Sequence, residues 1–119
     1  MTVYSKTFIV EATQTAREIG SGDLDVLATP ALIAMIENTA RDFLSNDLAE
    51  EETSVGTKLD IKHLRPSIVG AEILVNVNLE AKEGAKVAYS FEVYDSSKLI
   101  ATGTHQRAVV VTEVFLSRL

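Results

Sequence analysis

Two hydrophobic periods divide the chain. Lys6 to Ala12 is rich in β-branched and aromatic residues, which predicts a first strand. The loop Ile19-Gly20-Ser21-Gly22-Asp23 follows, loosened by its glycines. From Thr29 to about Leu48 the apolar residues recur at helical spacing. Leu32, Ile33, Ile36, Ala40, Phe43 and Leu44 form one stripe, with Asn38, Arg41, Asp42 and Ser45 opposite. Thr29-Pro30 is the start signal: Thr can cap, and Pro suits the first helical position, where its missing N–H would be unpaired anyway. Such a helix is about 28 Å long.

Past the acidic run Glu50-Glu51-Glu52 the period falls to two. In Thr53 to Arg65, Val55, Thr57, Leu59, Ile61 and His63 share one parity, while Lys58, Asp60 and Lys62 share the other. Pro66 to Gly70 makes a turn. Ile73, Val75, Val77 and Leu79 then alternate with Asn76, Asn78 and Glu80. Glu83-Gly84 predicts a hairpin turn, after which Val87, Tyr89, Phe91 and Val93 alternate with polar residues. A turn at Asp95-Ser96-Ser97-Lys98 leads into a last strand, about Leu99 to Thr112. Strand, long helix, then four strands on short connections predicts an α+β domain with an antiparallel five-stranded sheet. One helix covers such a sheet and its edges poorly, so a two-fold dimer is expected, with further pairing into tetramers left open.

Composition narrows the chemistry. The 119 residues suit one domain, 1–119, and 46% hydrophobic content is enough for a core. Without cysteine there is no disulfide, thiolate metal site or thiol nucleophile. Only His63 and His105 are histidines, which disfavours a multi-His metal site. A net charge of −6 argues against nucleic acid as partner. The first residues lack a signal layout, and no apolar run reaches the roughly 20 residues of a membrane helix, so a cytoplasmic domain is expected.

Five residues stand out. His63 shares its parity with the dry face, as a strand-end histidine bonded to backbone or as a base facing a cavity. Glu37 borders the apolar stripe, as a rim carboxylate or as a functional one held in a drier place. Thr29 is a plain cap, or else a hydroxyl beside the positive helix end, where an oxyanion could be stabilised. Gly56 interrupts a strand, marking a bulge or a place where a ligand approaches the backbone closely. Arg107 is an ion-pair partner or an anion contact. His105 has no distinguishing context. Lys58, Lys62 and Arg65 read as a solvated strand face.

Together, Ala28-Thr29-Pro30-Ala31-Leu32, Glu37, Ser54-Val55-Gly56-Thr57, His63 and Gly103-Thr104-His105-Gln106-Arg107-Ala108-Val109 resemble the fluoroacetyl-CoA thioesterase-like family of hotdog-fold proteins. The likeness runs from the first strand to about Val111. It implies a hotdog, a curved antiparallel sheet wrapped around one long helix. It implies hydrolysis of an acyl-CoA thioester, with coenzyme A as part of the substrate and no separate cofactor or metal. It implies that Thr29, Glu37 and His63 act on the thioester, that Gly56 lies near the acyl group, and that Arg107 contributes to binding. It implies dimers with sites at the subunit boundary. In the fluoroacetyl-selective enzyme a lid carries phenylalanines, whereas Ile19 to Leu24 has no aromatic here. The resemblance therefore speaks for thioester hydrolysis more than for fluoroacetyl selectivity.

Glu37 is expected to act as nucleophile or as base toward water, His63 to move protons or polarise the carbonyl, and Thr29 to orient a partner or stabilise the intermediate. Thr29 and Glu37 lie eight positions apart, roughly 12 Å along a regular helix, beyond reach of a common atom. A bend at Thr29-Pro30 or a site shared between subunits would reconcile them, and the shared site is the expectation. The alternatives are a non-catalytic acyl-CoA or acyl-carrier binding module, or an interaction protein that uses the fold to dimerise. No Asp-x-x-x-x-His segment supports a hotdog dehydratase.

Overall fold

The computed structural model describes residues 2–119. Strand β1 is Val3–Ile9. A 3₁₀ turn at Ala12–Gln14 and a short helix α1, Ala16–Ile19, lead to the long helix α2, Thr29–Ser45. Strands β2 (Glu52–His63), β3 (Glu72–Glu83), β4 (Lys86–Asp95) and β5 (Lys98–Val111) follow, then a closing turn of helix α3, Thr112–Leu116. The sheet order is β1-β3-β4-β5-β2, with every neighbouring pair antiparallel. This is the α+β layout expected from the periodicity.

Helix α2 lies across one face of the sheet. Leu32, Met35, Ile36, Ala40, Phe43 and Leu44 are buried against Ile73, Val75, Val77, Val87, Tyr89, Phe91 and Val93. Each large aliphatic side chain buried this way contributes about 1.5–3 kcal/mol. The ring of Phe43 stacks on Tyr4 at 5.3 Å and tilts against Tyr89 at 6.0 Å, tying the helix to β1 and β4. Among the described residues, no helix is long and apolar enough to cross a membrane.

Four expectations are corrected. Strand β1 starts and ends three residues early, because its pairing with β3 runs from Val3 opposite Asn78 to Ile9 opposite Glu72. Helix α2 stops at Ser45, where Asp47 N–H closes on the Leu44 carbonyl at 3.0 Å in a tighter turn. The residue capping α2 is Ala28, extended at ψ 142°, and Thr29 is the first helical residue, so its hydroxyl is free for another bond. Finally, β2 does not keep one parity. Its register against β5 shifts between Gly56 and Lys58, so Thr57 is an extra residue. Ser54 and Gly56 face the helix before the bulge, and Leu59, Ile61 and His63 do so after it. The expected inward Val55 and Thr57 are displaced by that one residue.

Candidate active site

The sequence-predicted residues gather in two groups. At the first turn of α2, Thr29 Oγ1 lies 2.8 Å from His63 Nδ1 at the end of β2. The other imidazole nitrogen, Nε2, is buried and without a hydrogen-bond partner among the described residues. Burial holds the His63 imidazole below its usual range, opposed in part by the backbone at Arg65. Thr29 and His63 line a cavity of about 290 Å³ together with Ala16, Val26, Leu64 and Pro66. Glu37 does not line it.

Glu37 belongs to the second group, two turns along α2. Its Oε2 lies 3.3 Å from Arg107 Nη1, with the carboxylate side chain 42% exposed and the guanidinium 6%. Gly56 stands beside this pair. A Cβ built on Gly56 would overlap Glu37 Oε2, so the absent side chain is the space the carboxylate occupies. Gly56 thus begins the bulge, and the space left by its missing side chain is taken by Glu37.

Arg107 is anchored from several sides. Its Nε donates to Ser54 Oγ at 2.9 Å and its Nη2 to the Ser54 carbonyl at 3.2 Å. Its Nη1 also lies 3.2 Å from His105 Nε2. A buried guanidinium is costly to desolvate, and these bonds offset that cost. Burial lowers the Arg107 pKa and Glu37 opposes the fall. Burial likewise pushes the Tyr89 phenol up to about 12, against the pull of Arg107.

Sequence reasoning passed over two members of this group. Ser54 sits two residues before Gly56 and His105 two before Arg107, so each shares a sheet face with a residue already singled out. Parity was the available signal. Within one chain the two groups stay apart. Seven positions of β2 separate Gly56 from His63, about 20 Å along the strand.

Residues 10–113 match the family described as fluoroacetyl-CoA-specific thioesterase. The chain belongs to this family. A relative from Streptantibioticus cattleyicolor named fluoroacetyl-CoA thioesterase is 28% identical over 91 residues, which are 76% of this chain and 66% of that relative. The match thus spans just under two thirds of the relative's length. Among solved structures, fluoroacetyl-CoA thioesterase FlK superposes with a TM-score of 0.92 at 24% identity, covering 98% of this chain and 90% of that one. A hot-dog-like protein from Thermanaerovibrio acidaminovorans superposes at 0.89 with 25% identity, covering 98% and 87%. A variant of FlK was solved in complex with fluoroacetate and CoA. These likenesses establish the sheet and helix as the hotdog fold, as expected. In this member of the fluoroacetyl-CoA-specific thioesterase family, the stretch Ile19 to Leu24 ahead of α2 carries no aromatic ring.

Proposed function

We propose that this protein hydrolyses an acyl-CoA thioester to a free acid and CoA, at a site assembled from two copies of the chain. The observation that carries this reading is the division of the candidate residues into two groups on either half of a free strand edge. Strand β2 is one of the two outer strands of the sheet, its outer edge unpaired among the described residues. Antiparallel pairing of β2 with β2 of a second copy, centred near Leu59 and Asp60, would bring the Gly56 end of one strand beside the partner subunit's His63. The Glu37 group of one copy would then meet the Thr29–His63 pair of the other, at both ends of the interface.

In such a site the Glu37 carboxylate either attacks the thioester carbonyl or takes a proton from the attacking water. The first route forms an acyl–Glu37 anhydride and expels CoA thiolate, which receives a proton by way of His63; water then cleaves the anhydride. In the second, the water oxygen bonds to the carbonyl carbon directly and the C–S bond breaks when the tetrahedral intermediate collapses. Thr29 holds the imidazole through Nδ1, leaving Nε2 toward the reacting atoms. Single-turnover trapping of an acyl-enzyme separates the two routes.

The test is a panel of acyl-CoA thioesters, short to long and aryl, followed by free-thiol release. Hydrolysis by the wild type and its loss in Glu37→Gln support the reading. Binding without thiol release would make the protein an acyl-CoA binding module instead. Fluoroacetyl-CoA belongs in the panel, although the aromatic-free Ile19–Leu24 stretch gives no ground for preferring it. A cysteine-free chain suits a reducing cytoplasmic setting, which cell fractionation checks.

A further inference from the structure

His105 is almost fully buried, 1% exposed, in the middle of β5. Its Nδ1 lies 2.8 Å from the Lys58 carbonyl oxygen. A carbonyl only accepts, so Nδ1 carries the proton and donates. Its Nε2 lies 3.2 Å from Arg107 Nη1. A guanidinium only donates, so Nε2 presents its lone pair. The two neighbours therefore dictate a single neutral tautomer. Burial keeps the ring neutral, holding its pKa below the usual range, with the Lys58 carbonyl opposing. The ring also lies against Tyr89, centroids 6.4 Å apart, which holds its plane.

This lone pair settles where Arg107 points. Nη1 has two hydrogens, one directed at His105 Nε2 and one at Glu37 Oε2, while Ser54 takes Nε and one hydrogen of Nη2. Ser54 fixes one edge of the guanidinium and His105 fixes the other. Glu37 is half-exposed and would otherwise sample solvent rotamers. Through Arg107 its Oε2 is held against Gly56.

We infer that His105 is a positioning residue: its unprotonated Nε2 aims Arg107 Nη1 at Glu37 and so sets the direction in which that carboxylate meets its substrate. The inference rests on Glu37 acting as proposed above. It distinguishes His105 from a filler of the core, because one ring nitrogen matters and the ring volume does not.

Two substitutions separate the nitrogens. In His105→Gln the amide oxygen can reach the position of Nε2 and accept from Arg107. In His105→Asn the shorter amide can satisfy Lys58 but leaves Nη1 without its acceptor. Each variant is assayed by thiol release on the best acyl-CoA of the panel, and its Arg107 guanidinium N–H signals are followed by nitrogen-15 NMR. Thermal unfolding confirms that each is folded. The expected result is that His105→Gln keeps kcat within about threefold and keeps the Arg107 signals. His105→Asn should lose kcat by about 10- to 100-fold at little change in KM, with those signals broadened or lost. Equal kcat in the two folded variants, or Arg107 signals that persist in His105→Asn, overturns the inference and leaves the role of Glu37 intact. Full turnover in Glu37→Gln overturns the hydrolytic reading, and this inference with it.

Discussion

Thr29 Oγ1 and His63 Nδ1 lie 2.8 Å apart, so the first residue of the long helix is joined by its side chain to the last residue of β2. The bond uses a hydroxyl that the helix does not need for capping, since Ala28 takes that position. It leaves the buried Nε2 as the free end of the imidazole.

Acid should affect turnover later than an ordinary imidazole would suggest. Burial holds the His63 pKa below the ordinary 6.5 of an imidazole, so the neutral form persists at pH 6.5 and somewhat lower. The kcat/KM profile is expected to stay level through pH 6.5 on acidification and then fall. A fall already complete above that pH would show that a different group limits the reaction.

Stability should follow His63 together with His105. His63 and His105 both have lowered folded-state values, so below pH 6.5 the unfolded chain binds more protons than the folded one. Their contribution is whole above 6.5 and is lost as the pH drops from there toward the folded-state values. Calorimetry at pH 7.5 and pH 5.5 should give a lower Tm at 5.5, with a smaller drop in His105→Gln. Asp42, whose carboxyl is held down by Lys6 and Arg41, adds a further loss only at more acid pH, around and below 3.8.

Gly56→Ala should act on rate rather than on folding. The added methyl overlaps Glu37 Oε2, the far end of a flexible side chain, so the carboxylate can swing off Arg107 without moving backbone. The expected loss in kcat is about 10- to 100-fold. The Glu37 end of the pair is open to water and Arg107 keeps its bonds to Ser54 and His105, so unfolding free energy should change by no more than about 1 kcal/mol. Urea titration with kinetics on the same sample checks both halves.

Arg107→Ala should act on folding as well as on rate. Removing the buried guanidinium leaves Ser54 Oγ, the Ser54 carbonyl and His105 Nε2 without their donor. A cost of about 1–3 kcal/mol is expected, read as a lower urea midpoint, together with loss of turnover. Arg107→Lys should recover little, because one ammonium cannot spread to three partners in a plane.

Mixing two dead variants tests the shared site most directly. Glu37→Gln and His63→Ala, each inactive alone, should recover activity after co-refolding. Half the random dimers are then mixed, and each holds one intact site, so about a quarter of wild-type turnover is expected. No recovery, despite mixed dimers seen by native mass spectrometry, would place Glu37 and His63 in the same subunit's site.

Periodicity along the chain was enough for the helix and the sheet, because the direction of a side chain is a local property, repeating every 3.6 residues in a helix and every two in a strand. The helix start, the border of the apolar stripe and strand parity drew attention to Thr29, Glu37 and His63, and the family resemblance joined them with Gly56 and Arg107. Periodicity misread the early part of β2, because one extra residue at Thr57 exchanges the faces and no local signal separates a bulge from an ordinary glycine. It gave His105 no role, because a histidine in an alternating strand looks the same whether it fills space or fixes an arginine.

Which residues meet was settled only by the fold. Thr29 reaches His63 across 34 positions and Glu37 reaches Arg107 across 70. These contacts exist because β2 returns to the far edge beside β5 and the long helix lies over both. The tautomer of His105 has the same origin. A carbonyl on one side and a guanidinium on the other dictate it, and the two come from different strands that only the closed sheet brings together.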